Sequence, residues 1–355
     1  YKRILELDPE RYDLLQTIGQ HYEQLGKPEK ALESYSKYAK QFPNEAKSFM
    51  QIGALHKRAG RYDQAKKQYE KALLVEPDHI AVLITLADIE KDLGNFDAAV
   101  QQYQNALELC KTPQELSKAY NALENYHEYR GQMKKALEYS QLRFKELQKF
   151  TAPFIFVIRQ LTSLDEYIRA GQKEPAFELL EAARKQLTPP YDKYVALGEM
   201  NIYVELEDAE KLEQAIAGIE DIIKTFGNEA LRSTQLYAQA KTKEIRGQYA
   251  EAILDYQQVI ESNPAELTMY QDIARCQRHL QQYDQAKAAL ETILKIQPFN
   301  AQALFEMGLV YAEAGEKKQA IEYLQKAQAV WENADADFEP AQKLKEKLAT
   351  LQATI

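Results

Sequence analysis

Several features that mark common protein classes are scarce in this sequence of 355 residues. It contains two cysteines, Cys110 and Cys276, which lie far apart and in no metal-binding or redox spacing, so we expect two reduced thiols. Tryptophan occurs once, and the five histidines are scattered along the chain. The longest apolar run, "FIFVI" at 154–158, is too short to cross a bilayer, so we expect no membrane insertion.

Basic charge and catalytic motifs are also missing. The formal net charge is −9, which argues against a nucleic-acid partner because phosphate neutralisation requires a basic surface. The sequence has no glycine-rich phosphate loop, no His-Glu-x-x-His zinc motif and no nucleophile elbow. We therefore expect that the chain is not an enzyme and that it holds no cofactor and no metal.

What the sequence does have is a spacing of 34 residues. Turn-forming residues recur at this interval in both the first and the last third of the chain, and a fixed period in this range indicates stacked repeats. The residues that share the spacing are Gly26, Gly60 and Gly94, then Pro9, Pro43 and Pro77, and later Gly247, Gln281 and Gly315 with Pro264 and Pro298.

Residues 46–79 show what one repeat contains. Apolar residues at helical spacing predict two helices, separated by a glycine and closed by a proline. Gly53 and Ala65 are small, so we expect the two helices to cross closely there. Tyr62 and Tyr69 are predicted to fill the space beside that crossing. These residues are therefore predicted to build the scaffold and not a site.

The repeated pattern resembles the tetratricopeptide repeat (TPR) family, although the family's tryptophan near the start of the first helix is replaced by other large residues. The resemblance implies an all-α, right-handed superhelical solenoid of about nine helix–turn–helix units with a C-terminal capping helix. It also implies binding of a peptide or protein on the concave groove. The residues that carry the match include Ile18, Gly19, Tyr22, Ala31 and Pro43, then Ile52, Gly53, Ala65, Tyr69, Ala72 and Pro77, and later Ala252, Tyr256, Ala286, Met307, Gly308, Tyr311, Ala320 and Ala327.

The spacing divides the chain into five parts. Residues 1–11 are predicted to be the second helix of a truncated leading TPR, which suggests a fragment of a longer protein. Three regular TPRs follow at 12–116, three irregular and longer units at 117–230, and three regular TPRs at 231–333. Residues 335–355 are predicted to form the capping helix. The apolar stripe expected to cover the last pair is Phe338, Leu344, Leu348 and Leu351.

Histidines are predicted to pack and not to bind metal. His56 and His127 stand where the first and ninth units have Tyr22 and Tyr311. A position that takes tyrosine in other repeats is a packing position, so we expect both imidazoles to lie inside the helix pairs.

The interpretation of function leaves three hypotheses open. The first is a non-catalytic interaction scaffold for a protein or peptide, and the second is the regulatory or sensory arm of a larger signalling protein or enzyme. The third is an envelope assembly protein. The partner could also be the missing upstream part of the same chain. We expect a cytoplasmic location, with the periplasm left open because the sequence begins with Tyr1.

One group of residues is predicted to bind a partner in the groove. Lys241 and Arg275 occupy equivalent first-helix positions in units seven and eight, and Arg278 follows three residues later. Stacked repeats would bring these cations together, where an acidic peptide or carboxylate is one possible ligand. Tyr237 is predicted to lie beside them as an aromatic contact.

Two alternatives accompany that prediction. Glu244 and Asp272 lie within helical reach of the cations and would simply pair with them on a solvated surface. Asn121 and Asn125, one helical turn apart in unit four, form a second predicted site, which would hold an extended peptide backbone.

Overall fold

The computed structural model describes Asp8, residues 11–262 and residues 266–353. Within those ranges the regular secondary structure is entirely helical, as the repeat pattern predicts. The predicted helix at 1–11 falls almost wholly outside the described residues. The described helices form two compact units, Tyr1–Lys111 and Thr112–Ile355.

The first unit contains three helix pairs. Its helices are α1 (Leu14–Gln24), α2 (Pro28–Gln41), α3 (Ala46–Arg58), α4 (Tyr62–Val75), α5 (Ile80–Asp92) and α6 (Phe96–Leu109). In each pair the two helices pack against each other, and the second helix also packs on the first helix of the next pair. This is the arrangement that a solenoid of helix pairs requires.

The second unit contains six further pairs and a final single helix. Its helices are α7 (Pro113–Tyr129), α8 (Met133–Leu147), α9 (Pro153–Leu161), α10 (Leu164–Arg169), α11 (Lys173–Gln186), α12 (Val195–Glu205), α13 (Ala209–Phe226), α14 (Leu231–Ile245), α15 (Tyr249–Ser262), α16 (Leu267–His279), α17 (Tyr283–Ile296), α18 (Ala301–Glu313), α19 (Lys317–Val330) and α20 (Glu339–Gln352). A short 3-10 segment, Tyr191–Tyr194, precedes α12. The predicted all-α solenoid of helix pairs with a capping helix is confirmed.

The turn inside each pair has one residue with positive φ. Two of these residues are not glycine: Glu207 has φ 52° and Gln281 has φ 59°. The nine turn residues are Gly26, Gly60, Gly94, Gly131, Gly171, Glu207, Gly247, Gln281 and Gly315. A left-handed residue lets the following N–H groups bond to the last carbonyls of the first helix, as Arg61 N–H does to His56 C=O at 2.9 Å.

The crossing of the two helices in a pair explains the small and aromatic residues of the repeat. A Cβ on Gly53 would lie 2.9 Å from the Tyr69 ring, so the ring occupies the space that a side chain would need. Gly19 stands in the same relation to Tyr35 in the first pair. Ala65 is fully buried in the same layer. The predicted close crossing at Gly53, with the Tyr69 ring beside it, is therefore confirmed.

The fifth pair is one of the three units predicted to be irregular and longer. Its first helix is not extended but broken into two. α9 ends at Leu161 and α10 begins at Leu164. The side chain of Asn201 donates a hydrogen bond to the Leu161 carbonyl at 3.3 Å, and Thr162 Oγ1 donates to the Arg159 carbonyl at 2.9 Å. Polar side chains that take over helix carbonyls in this way are a known cause of helix breaks.

The final helix, α20, packs on α19 through Ala341, Leu344, Leu348 and Leu351, which are buried. The predicted capping stripe is correct for its three leucines. Phe338 lies outside this stripe, because its ring contacts Trp331 and the turn at Gly131 instead.

Within the described residues, no helix is both long enough and apolar enough to cross a membrane.

Candidate interaction surface

Charged side chains bridge successive first helices of the second unit. Lys241 on α14 contacts Asp272 on α16, with 2.9 Å between Nζ and Oδ1, and Glu244 on its own helix at 3.3 Å. Arg275 on α16 contacts the same two carboxylates. The structure thus brings Lys241 and Arg275 together, and it shows both of them paired with the two acids that the sequence offered as alternatives.

The charges in this group stabilise one another. Burial alone would raise the pKa of Glu244, but the hydrogen bond from Arg275 and the charge of Lys241 lower that pKa to about 2. Burial would likewise lower the pKa of Lys241, but Asp272 raises that pKa above its usual value. Glu244 and Lys241 are therefore ionised at neutral pH, and the ion pairs of these two residues with Asp272 and Arg275 hold α14 against α16.

Tyr237 and Arg278 extend the group in two directions. The Lys241 ammonium lies 5.8 Å from the Tyr237 ring centroid, as the sequence predicts. Burial raises the pKa of Tyr237 to about 12. Arg278 points toward the next repeat, where it contacts Glu306 at 2.5 Å and Glu313 at 2.6 Å on α18.

A second group joins α7, α8 and α10. Arg143 donates to Glu124 at 2.6 Å and 3.1 Å, and its guanidinium lies 3.5 Å from Glu166. Its donors also reach Ser140 and Ser163. Burial, together with the neighbouring Glu166 charge, raises the pKa of Glu124 to about 8. One cation therefore faces two carboxylates at this point.

Arg169 on α10 is the next cation in the same row. It lies 3.0 Å from Glu128 on α7, 2.7 Å from Asp165 and 3.9 Å from Glu205 on α12. Burial raises the pKa values of both Glu128 and Glu205. Three carboxyl groups therefore share this one guanidinium.

We call this row the ion-pair ladder. Its members are Glu124, Glu128, Arg143, Asp165, Glu166, Arg169, Glu205, Lys241, Glu244, Asp272, Arg275, Arg278, Glu306 and Glu313. Apart from Arg143 on α8, these residues lie on first helices of the pairs. The ladder runs in sequence order from the fourth pair to the ninth.

The first unit also has ion pairs between neighbouring repeats. Lys57 on α3 contacts Asp88 on α5 at 3.1 Å, and Arg58 contacts Glu23 on α1. Lys66 on α4 contacts Glu90 on α5 at 2.5 Å. Ion pairs between neighbouring repeats are therefore a feature of both units.

Asn121 and Asn125 lie apart from the predicted cations. Both are exposed on α7, one turn from each other. They lie on the same helix as Glu124 and Glu128. The structure therefore places the two predicted sites on different repeats and does not bring them into one site.

Most residues of the ladder were not predicted from the sequence, although the spacing of opposite charges could have identified some of its ion pairs. Lys57–Asp88, Lys241–Asp272 and Glu244–Arg275 are each 31 residues apart. This separation is shorter than the 34-residue repeat by about one helical turn. It therefore places the two opposite charges on facing turns of neighbouring first helices. The contacts of Arg143 lack that spacing because Arg143 lies on the second helix α8 and not on a first helix.

In the part of the chain that the structure describes, no group of three or more His, Cys, Asp or Glu side chains could hold a metal ion.

The helix pairs, the positive-φ turns and the crossing residues together define a helical repeat protein. Models of the tetratricopeptide repeat match residues 14–45, 44–112, 245–304 and 302–333, which is more than half of the chain. The chain belongs to the tetratricopeptide repeat family. These matches indicate no enzyme family. Comparison with curated proteins found no match.

Solved structures of the same architecture resemble the chain at low identity. The hetero-tetramer Cut9–Hcn1 of APC/C matches at 13% identity over 98% of this chain and 84% of that chain, with a TM-score of 0.50. The TPR domain of P58(IPK) matches at 17% identity over 97% and 98%, with a TM-score of 0.32. A tetratricopeptide repeat protein from Parabacteroides merdae matches at 16% identity over 96% and 98%, with a TM-score of 0.35. At 13% identity the match to Cut9–Hcn1 supports the fold alone. The other two matches have TM-scores below 0.5, so nothing about this chain is concluded from them.

Proposed function

We propose that the chain is a non-catalytic scaffold that binds a peptide or protein partner on the first-helix surface of residues 112–355. Membership of the tetratricopeptide repeat family supports a role in protein–protein interaction. The regulatory-arm and envelope-assembly hypotheses and the cytoplasmic location remain predictions. The observation that carries the proposal is the ion-pair ladder, since it gives this surface a fixed arrangement of charge.

A fixed arrangement favours binding because less side-chain entropy is lost when a partner arrives. Lys241, Glu244 and Arg275 are each held by at least two charged neighbours. Long polar side chains would otherwise lose about 0.5–1.5 kcal/mol each when they become ordered at an interface. The ladder has already ordered them in the isolated chain.

The charge balance of the ladder favours a basic partner at the Arg169 end. Glu128, Asp165 and Glu205 share one arginine there, and burial raises the pKa values of two of the three. A lysine or arginine side chain from a partner would relieve this excess of carboxylates. We therefore propose that the partner presents basic residues to this part of the surface.

The acidic ligand predicted from Lys241, Arg275 and Arg278 is the competing proposal. A ligand carboxylate at that position would have to displace Asp272 or Glu244, which already contact the first two cations. Displacing a carboxylate from a buried pair leaves that carboxylate without a cation. Replacing it with a ligand carboxylate therefore gains little binding free energy. The geometry therefore favours the basic partner over the acidic one.

Selection from a random peptide library, with the whole chain as bait, tests both proposals. We expect the selected peptides to carry Lys or Arg and to bind more weakly to Glu205→Gln, with a shallower dependence on salt. Glu213→Gln is the matched control, because Glu213 also pairs with an arginine, Arg246, but lies on the second helix α13. Its affinity for the peptides should not change.

The same selection tests the acidic alternative through the variant Lys241→Ala/Arg275→Ala/Arg278→Ala. Selected peptides rich in Asp or Glu that lose binding in this variant would support the acidic ligand and contradict the basic one. Peptides that bind equally well to Glu205→Gln, Glu213→Gln and the triple variant would contradict the ladder as a binding surface.

A further inference from the structure

The segment between α19 and α20 lies against the turn between α7 and α8, about two hundred residues away in the sequence. Asp335 N–H donates to the Gly131 carbonyl at 2.9 Å, and the side chain of Gln132 donates to the Asn333 carbonyl at 2.9 Å. The Lys134 N–H donates to Asp335 Oδ2 at 2.9 Å. The Lys134 ammonium also contacts Asp337 at 2.8 Å.

The carboxylate of Asp335 serves as a cap for α8. This helix begins at Met133, and its own N-cap residue, Gln132, makes no capping hydrogen bond from its side chain within the described residues. The first N–H groups of a helix need an acceptor, and their positive dipole end favours a negative one. Asp335 supplies that acceptor from the other end of the unit.

Phe338 supplies the apolar half of the contact. Its ring packs over Gly131 and joins a small cluster formed by Met133, Leu137 and Ala170. On its other side the ring meets Trp331 edge-on, with 5.3 Å between centroids. The ring is therefore held between the fourth and the ninth helix pairs.

Gly131 is adapted to this contact. A Cβ at Gly131 would lie 2.8 Å from both Ala334 Cβ and Phe338 Cδ1. Gly171 and Gly247 occupy the same turn position in other pairs, and in the described structure a Cβ on either would meet nothing within 4 Å. At Gly171 and Gly247 glycine therefore serves the positive φ alone, whereas at Gly131 it also leaves room for the segment that covers the turn.

We propose that this turn is a peptide-recognition site for segments of the form Asp-x-x-Phe, and that residues 333–338 occupy it from within the chain. We name it the Gly131 site, formed by Gly131, Gln132, Met133, Lys134, Leu137 and Ala170. The Phe338 N–H donates to the Asp335 carbonyl at 3.0 Å, so the segment turns and presents its carboxylate and its ring on one side. A partner protein with an exposed acidic and aromatic segment would compete for the same place. This site is separate from the ion-pair ladder, so either proposal can fail alone.

Trp331 gives a direct signal for occupancy of the Gly131 site. It is the only tryptophan in the sequence, and it is 3% exposed and in contact with Phe338. We expect Gly131→Ala to shift the emission of Trp331 to the red, because the added methyl group displaces Phe338. Gly171→Ala is the matched control, with the same positive φ and open space around it. Equal emission from the two variants would show that the segment is not docked.

Recognition is tested in trans with the whole chain carrying Asp335→Ala/Phe338→Ala. The probe is a peptide with the sequence of residues 332–340, ENADADFEP, which contains no tryptophan. We expect it to return the Trp331 emission toward that of the wild type and to bind at least about tenfold more tightly than a peptide lacking that Asp and Phe. Adding Gly131→Ala, whose methyl group takes the place of the Phe338 ring, should abolish the difference. Equal binding of the two peptides would overturn the proposal.

Discussion

The stability of the second unit should depend on pH through His127. This residue is 2% exposed on α7, and its Nδ1 lies 2.6 Å from the Gln132 side-chain oxygen. Burial lowers the pKa of His127 from 6.5 to about 4, and the charges of Lys135 and Arg130 act in the same direction, whereas the Gln132 hydrogen bond and Asp335 oppose them. The imidazole is therefore neutral in the folded chain at neutral pH.

The difference between the pKa of His127 in the folded chain and in the unfolded chain sets the sign and the size of the change in stability with pH. Because the pKa is lower in the folded chain than in the unfolded chain, protonation favours unfolding. The neutral imidazole of His127 contributes to the free energy of unfolding. This contribution is fully present above about pH 6.5 and is lost as the pH falls toward about 4. With these two pKa values, the loss between pH 7.5 and pH 5.0 is about 2 kcal/mol.

The assay compares the wild-type chain with His127→Phe in urea at the two pH values, with Trp331 emission as the probe of the second unit. Other titrating groups affect both proteins alike, so the difference between the two proteins isolates His127. We expect the wild type to lose about 2 kcal/mol more than the variant on acidification. Equal losses would refute the reasoning and place the pKa of His127 near its usual value.

Three further predictions concern the scaffold. Ala65→Leu should destabilise the first unit by about 1–3 kcal/mol through overpacking, whereas the exposed Lys67→Leu should stay within about 0.5 kcal/mol; equal melting temperatures would show that the assigned crossing is wrong. Arg143→Met should cost about 3 kcal/mol because it leaves buried carboxylates without a cation. Lys343→Met, at an ion pair that is exposed on both sides, should be near neutral in urea unfolding. Deleting 339–355 should remove up to about 5 kcal/mol from the last pair and promote association; an unchanged melt with a monomer on gel filtration would contradict its role as a cap.

The local parts of this fold could be predicted from sequence because each is set within one repeat. Gly60 marks a turn through its left-handed backbone, and Gly53 marks a crossing because the Tyr69 ring occupies the place of its side chain. Gln281 adopts positive φ without being glycine. The 34-residue spacing identified that turn, which its residue type alone would not have done.

Contacts between distant or irregular repeats could not be predicted in the same way. The Lys241 pairs lie at a spacing tied to the repeat length, and the sequence did offer Asp272 and Glu244 as partners. Arg143 lies on the second helix α8, to which a spacing between first helices does not apply. The contact of Phe338 with Gly131 joins two pairs far apart in the chain, and a periodicity that relates neighbours carries no information about it.

We propose that a partner binds along the first helices of the second unit. The most direct test is hydrogen exchange measured by mass spectrometry on the whole chain, with and without a peptide selected from a random library. We predict slower exchange on binding in the first helices α7, α12 and α14, with Glu205→Gln reducing that protection. Protection confined to the second helices α11, α13, α15 and α17 would contradict the account.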